Sequence, residues 1–339
     1  MNEREEKKPL TASASPIGYH DHAQPGVLRP IARRSFLKLA AQSATAIAFA
    51  TSAFAMEDAK QPSVQPFSLG LLIRPYPDPE KKIAAVRELG FSTCFLSLDD
   101  YLGKFTPALA STLRDFLEKH QVTATTVEVV RPDPLKWNFL EGPSTIGIVP
   151  RAYRAARIDA LKQASDFARL LGVPQVQTHC GFIPENPKDE LYPETVAAIR
   201  QLTEYCVNNG QHFLMETGQE TPTTMSRVLH DVDHPGLGIG LDTANLILYG
   251  KANPVDAVKI LGPHIRSMHA KDGRWPTNPE QLGEEVLIGK GEVDFAKVFA
   301  GLRAAGYKGA VTIERETSGP QQIEDVRQEK AYLERLLIT

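Results

Sequence analysis

The sequence predicts an α/β protein built on a single (β/α)8 TIM barrel, a closed sheet of eight parallel strands with helices outside. Three observations carry this expectation. From residue 66 onward, short apolar runs alternate with longer amphipathic ones eight times. The eight units occupy about 270 residues, which suits a closed barrel better than an open doubly wound sheet. No glycine-rich phosphate loop follows the first strand, so a dinucleotide-binding fold lacks its signature.

The elements follow in order. Phe67–Ile73 reads as a strand and Glu80–Leu89 as a helix ended by Gly90. Thr93–Leu98 is the second strand and Pro107–His120 its helix. Val122–Val130 is strongly β-branched, and a long loop separates it from a helix over Arg151–Leu171 stopped by Gly172. Gln175–Cys180 and Glu194–Asn209 form the fourth unit, and Phe213–Glu216 and Pro222–His230 the fifth, with Thr221 as N-cap before the proline. Leu237–Asp242 with Pro254–Leu261, Ile265–His269 with Phe295–Ala305, and Ala310–Glu314 with Gln321–Leu337 complete the set.

The first 55 residues read differently. Residues 1–30 are polar and show no apolar period. Arg33 and Arg34 then precede a mild apolar run, Leu39 to Phe54, closed by Ala53, Phe54 and Ala55. A charged region, an apolar region and a small-residue cleavage site make an export signal, and the paired arginines resemble the twin-arginine type. The run is diluted by Gln42, Ser43 and Thr45 and is short for a bilayer span. Residues 1–55 are therefore expected to be a signal for twin-arginine (Tat) export to the periplasm, with residues 56–339 forming the barrel. An uncleaved signal would leave the protein anchored to the membrane.

The chain of 339 residues is 42 % hydrophobic and 23 % charged, the balance of a soluble globule, with formal net charge -3. Without residues 1–55 the net charge is about -6. A mildly acidic domain is a poor polyanion binder, so no nucleic-acid partner is expected. Cys94, Cys180 and Cys206 are odd in number and show no paired spacing, so no disulfide framework is implied. Cys180 reads as inert.

In such barrels the chemistry sits at the C-terminal ends of the strands. Here four consecutive strands end in Met215-Glu216, Leu241-Asp242, Met268-His269 and Ile313-Glu314. One carboxylate after a strand is commonly a helix cap or a solvated loop residue, and one histidine there is commonly a hydrogen-bonded core residue. Four in succession are far harder to obtain by chance. Closing the barrel would gather them around one axis, where three carboxylates repel unless a cation lies among them. Oxygen-rich ligation with one imidazole suits Mn²⁺, Mg²⁺ or a similar divalent ion better than a structural zinc.

Further candidates surround this set. His179 ends the fourth strand and is expected to face the mouth, as a substrate contact or a partner of a ligand. Trp137, beside Lys136 in the long loop after the third strand, sits where lids often lie and suits sugar recognition. Lys271, two residues after His269, is a candidate for oxyanion stabilisation against the alternative of a solvated lysine. Arg274 is a weaker candidate in the same loop.

The segments Met215-Glu216, Leu241-Asp242-Thr243-Ala244-Asn245, Met268-His269-Ala270-Lys271-Asp272 and Ile313-Glu314 resemble the metal-ligand segments of the xylose-isomerase-like sugar isomerases and epimerases, which include ketose 3-epimerases and inosose dehydratases. Residues 289–295, Gly-Lys-Gly-Glu-Val-Asp-Phe, resemble the segment that precedes that superfamily's eighth unit. The resemblance covers roughly residues 66–338. It implies one divalent ion, Mn²⁺ first with Mg²⁺, Co²⁺ or Zn²⁺ as alternatives, held by Glu216, Asp242, His269 and Glu314, with Glu216 and Glu314 as an acid–base pair on opposite faces of a sugar carbon. The ketose-epimerase pattern commonly has His where Asn245 stands, and Asn can bind a hydroxyl or carbonyl but cannot carry a proton.

The expected function is thus metal-dependent proton transfer at the carbon beside a keto-sugar's carbonyl, giving isomerisation or epimerisation. A lyase or dehydratase of a 3-keto-glycoside or keto-inositol would share the first step. A sugar-binding protein without catalysis is a third reading, which the complete ligand set disfavours. An apurinic-site endonuclease would need a three-zinc cluster with more histidines than the two, His179 and His269, found at strand ends. The partners expected are a small sugar and the Tat export machinery, with self-association into a homo-oligomer left open. Replacing Arg33 and Arg34 by Lys should retain the protein in the cytoplasm, as read by cell fractionation, and normal export of that variant would refute the signal.

Overall fold

The computed structural model describes residues 67–337, so the expected signal, its cleavage after Ala55 and the start of the barrel domain at residue 56 lie outside the described residues. The strands are β1 (Leu69–Ile73), β2 (Thr93–Ser97), β3 (Thr123–Glu128), β4 (Gln175–Thr178), β5 (His212–Glu216), β6 (Leu237–Asp242), β7 (Ile265–Ala270), β8 (Asp272–Arg274), β9 (Glu284–Val286) and β10 (Val311–Ile313). Eight of them form a closed parallel barrel in the order β1-β10-β7-β6-β5-β4-β3-β2. Leu69 lies opposite Val311, which seals the first strand against the last. The expected (β/α)8 barrel is the observed fold. Among the described residues, no helix is long and apolar enough to cross a membrane.

The outer helices begin and end as their residues dictate. Thr221 caps the helix Pro222–Val232 by accepting from the Thr224 amide at 3.3 Å, as the Thr-Pro pair predicts. Gly172 ends the helix Arg151–Leu171 at φ 77°, a left-handed conformation that glycine adopts without strain. Among the elements that go unforeseen, two adjoin the strand ends. A short helix, Thr243–Leu248, starts directly from Asp242, whose carboxylate caps it by accepting from the Asn245 amide at 2.7 Å. The hairpin β8–β9 is antiparallel and stands apart from the barrel sheet, with Asp272 opposite Val286.

The barrel interior is polar near the site. Gln177 of β4 points inward, accepts from Ser267 Oγ at 2.5 Å and donates to Glu216 Oε2 at 3.0 Å. Gly240 of β6 makes this possible, because a Cβ there would stand 2.0 Å from Gln177 Oε1. The third and seventh strand loops are each anchored by one buried charge. Arg157 donates to the carbonyls of Pro132, Pro134, Thr145 and Gly147 at 2.5–3.2 Å, which ties down the long loop after β3. Buried Asp272 accepts from the amides of Gly273, Gly289, Gly291 and Val293 at 2.9–3.1 Å, shaping the segment 289–295.

Candidate metal centre

The four strand ends converge as the barrel requires. Register pairing sets Asp242 directly beside His269. One ligand atom each from Glu216, Asp242, His269 and Glu314 lies within 4.8 Å of the others, and all four side chains are buried. His269 Nδ1 is 3.1 Å from Glu314 Oε2, 3.4 Å from Glu216 Oε1 and 3.7 Å from Asp242 Oδ2. Asp242 Oδ2, Glu314 Oε2 and both His269 nitrogens nevertheless have no hydrogen-bond partner. Buried polar atoms are almost always paired, so a set of orphaned ones facing a common point is unusual. Ligands at about 2.1 Å from one ion in octahedral geometry stand about 3 Å apart when adjacent. The residues therefore fit a divalent cation, and this buried cluster could bind one.

The electrostatics are those of crowded, buried charge. Burial pushes the Asp242 carboxyl up to about 7, against the pull of Lys271. Burial also works against ionised Glu216, but the neighbouring His179 and His269 rings outweigh it and hold this carboxyl below the usual range. Glu314 is held well below that range because Lys271 and His269 overcome its burial. In return, Glu314 and Glu216 keep His269 protonated far above the usual histidine value despite its burial.

Lys271 is buried rather than solvated, and its Nζ lies 3.7 Å from Glu314 and 4.0 Å from Asp242. It donates to Glu316 and reaches Asn245 Oδ1 at 3.5 Å. The other end of that amide donates to Glu216 Oε1 at 3.3 Å. Asn245 thus links Lys271 to Glu216. His179 pairs through Nδ1 with Gln219 at 3.3 Å, leaving Nε2 3.5 Å from Glu216 Oε2. Trp137 stands edge-on to His179, ring centroids 5.1 Å apart. A cavity of about 200 Å³ joins these groups, with Trp137, His179, Asn245, Lys271 and Glu314 in its wall.

Arg274 is not brought into the site. It lies on β8, where the chain has turned away into the hairpin, and its exposed guanidinium stands 3.8 Å from Glu284. The Cys180 thiol is buried and pushed well above its usual pKa by desolvation, which fits an inert residue.

Three cavity carboxylates, Asp99, Glu128 and Glu316, were missed by the sequence reading. Glu128 ends β3, and its Oε1 is buried without a partner. It forms a second acidic group with His179 and Glu216 within 4.8 Å, and burial with the Glu216 charge pushes its carboxyl well above the usual range. The strand-end rule would have found it, but the apolar run continues to Val130 and hides where the strand stops. Glu316 has no such signal, since it follows the strand by three residues.

Asp242→Ala should abolish tight divalent-ion binding, with elemental analysis falling from about one ion per chain to none, and unchanged ion content would refute the centre. Glu220, in the loop after β5, is buried with both oxygens unpartnered and is pushed up to about 8 by desolvation. Its folded pKa lies above the unfolded one, so its stability contribution is complete below about pH 4.5 and is lost as pH rises to about 8. Glu220→Gln should flatten that decline by up to about 1.4 kcal/mol per pH unit, measured by denaturant unfolding at several pH values.

Comparison with known proteins sets this geometry in a family. The family described as xylose isomerase-like TIM barrel matches residues 83–336. An uncharacterised protein of Methanocaldococcus jannaschii is 25 % identical over 174 residues, 48 % of this chain and 58 % of that protein. Inosose dehydratase of Geobacillus thermodenitrificans is 29 % identical over 120 residues, 31 % of this chain and 39 % of the relative. The chain thus spans about half the length of these relatives. Among solved structures, a xylose isomerase domain protein from Planctomyces limnophilus superposes with TM-score 0.75 at 29 % identity, covering 80 % of this chain and 98 % of the other. D-psicose 3-epimerase in the presence of D-fructose gives TM-score 0.61 at 17 % identity, over 80 % of this chain and all (100 %) of the other, a likeness of fold. A xylose isomerase-like TIM barrel protein from Mycobacterium smegmatis in complex with magnesium gives 0.60 at 18 %, over 80 % and 96 %. With three quarters of its length matched by that family and a closed barrel to go with it, this chain belongs to the xylose isomerase-like TIM barrels.

Proposed function

We propose that this protein is a divalent-metal-dependent isomerase or epimerase of a keto-sugar, moving a proton at the carbon next to the carbonyl. One observation carries the reading: ligand atoms of Glu216, Asp242, His269 and Glu314 gather within 4.8 Å of one another, those of Asp242, His269 and Glu314 without hydrogen-bond partners, beside a cavity of about 200 Å³. The epimerase and inosose dehydratase names among similar proteins support a sugar substrate.

Glu216, Asp242, His269 and Glu314 would hold the ion, with Mn²⁺ as the best fit to the donor set. A divalent ion there supplies Lewis-acid stabilisation of negative charge on the sugar oxygens. The remaining work belongs to the chain. Glu216 and Glu314, kept ionised by the cations around them, take the proton from one face of the carbon and return one to the other. Lys271 presents a buried positive charge to a sugar oxygen. Asn245 and His179 orient hydroxyls, and Trp137 stands at the cavity mouth. We place this activity outside the cytoplasm, following the Arg33–Arg34 signal.

A second reading is a lyase that expels a leaving group after the same proton removal. Glu128 favours it, because a carboxyl kept protonated by burial in the cavity wall can give its proton to a departing oxygen. Asn245, which cannot carry a proton, leans the same way.

Changing either Glu216 or Glu314 to Gln should lower turnover on the order of 10²–10⁴-fold while substrate binding survives. An isomerase or epimerase puts solvent deuterium beside the carbonyl in D₂O, whereas a lyase releases a leaving group and an unsaturated keto-sugar. Near-normal turnover in both Gln variants would remove both readings.

A further inference from the structure

Tyr76, Trp137 and Trp275 are the exposed aromatic side chains among the described residues, at 43, 43 and 39 % of full exposure. All three sit on loops at the C-terminal end of the barrel, after β1, after β3 and in the hairpin after β7. Each of these loops also contributes to the cavity wall, through Arg74, Trp137 itself and Leu282. The β3 loop is joined to the hairpin by a bond from the Phe139 amide to the Glu280 carbonyl at 3.2 Å. The other exposed apolar side chains are Leu140, beside Trp137 on the same loop, and Val207, Ile260 and Ile323 on outer helices.

Scattered aliphatic residues on a surface need no explanation, but every exposed aromatic falling on loops that wall one cavity does. These rings are held in place as well as exposed. Tyr76 meets Tyr101 edge-on at 5.5 Å with Lys104 Nζ 4.3 Å from its centroid, and Trp137 is braced by His179. The cavity inside the rim, about 200 Å³, is smaller than the roughly 300–1,000 Å³ of sites that enclose drug-sized ligands. It takes one sugar ring and leaves the rim without an occupant. Near the rim, Arg274 stands 3.8 Å from Glu284 and Arg131 3.8 Å from Asp133. A neutral ring with an apolar C–H face suits aromatic side chains of this kind.

We propose that Tyr76, Trp137 and Trp275 form a second subsite, and that the substrate is a disaccharide whose keto-sugar ring enters the cavity while its second sugar ring lies on the aromatic rim. The inference rests on the keto-sugar reading for the ring inside, and it deepens that reading from a free ketose to a glycoside.

The test is calorimetric binding of 3-keto-glucose and a panel of 3-keto-disaccharides of different linkage, in a Glu314→Gln background that suppresses turnover. At least one disaccharide should bind about tenfold or more tightly than 3-keto-glucose. Adding Tyr76→Ala and Trp275→Ala, exposed positions that leave the core intact, should erase that advantage and leave the monosaccharide affinity unchanged. Equal affinities, or an advantage that survives both substitutions, would overturn the subsite. An aryl 3-keto-glucoside that outbinds every disaccharide would replace the second sugar with an aromatic aglycone. A change of oligomeric state on Trp275→Ala, with sugar affinity intact, would give the rim to a second copy of the chain and refute the proposal. Binding is read without turnover, so a failed subsite is distinguishable from a failed catalytic assignment.

Discussion

Three carboxylates and an imidazole buried at the end of one barrel are the constraint around which this molecule is arranged. Ionised groups taken out of water cost several kcal/mol each unless opposite charge or strong hydrogen bonds compensate them. Here His269 sits among Glu216, Asp242 and Glu314, and Lys271 adds a second buried positive charge from the β7 side. Their atoms approach closely and still leave oxygens and ring nitrogens without hydrogen-bond partners. Such an arrangement fits a cation that would complete it, and stability alone would favour an apolar plug. The barrel makes it affordable, because each group stands at a strand end on a closed, parallel ladder that cannot slip in register without moving every side chain to the other face.

Supporting contacts radiate from that centre. Gln177 and Ser267 hold Glu216 from beneath, and Gly240 leaves the space they need. Asn245 is fixed twice, by its backbone at the Asp242 cap and by its amide between Lys271 and Glu216. Arg315, next to Glu314, pairs with Glu285 at 2.8 Å and Asp325 at 2.9 Å, which ties the end of β10 to the hairpin and to the last helix. The resulting site has two different walls. Glu128, His179 and Trp137 line one side, Lys271, Glu314 and Glu316 the other. One wall can give protons and stack on a ring, and the other concentrates charge.

The loops over the cavity are tied down by buried polar contacts. Arg157 spends its whole guanidinium on carbonyls of the β3 loop, and Gly147 of that loop packs so closely on the Cys180 backbone that a Cβ would stand 2.1 Å away. Asp272 does the corresponding work for the hairpin side. Aromatic residues carried on loops held this firmly lose little entropy when a ligand meets them.

The alternation of apolar runs and amphipathic helices, with one chemical residue at each of four successive strand ends, was readable from the chain, because strand period and strand polarity are local properties that parallel closure converts into a place. Glu216, Asp242, His269 and Glu314 were therefore found without coordinates. Glu128 was hidden because Val129 and Val130 extend its apolar run past the last ladder bond, and pairing with a neighbouring strand, rather than composition, decides where a strand stops. Arg274, the weaker candidate in the loop of Lys271, is carried outward by the hairpin, and the burial of Lys271 beside Glu314 and Glu316 depends on strands far apart in sequence. The sequence by itself determined the barrel and the four strand-end residues that converge in it. Only the tertiary structure decided which further charges share that cavity, because their neighbours are set by closure of the sheet and by loops pinned from distant helices.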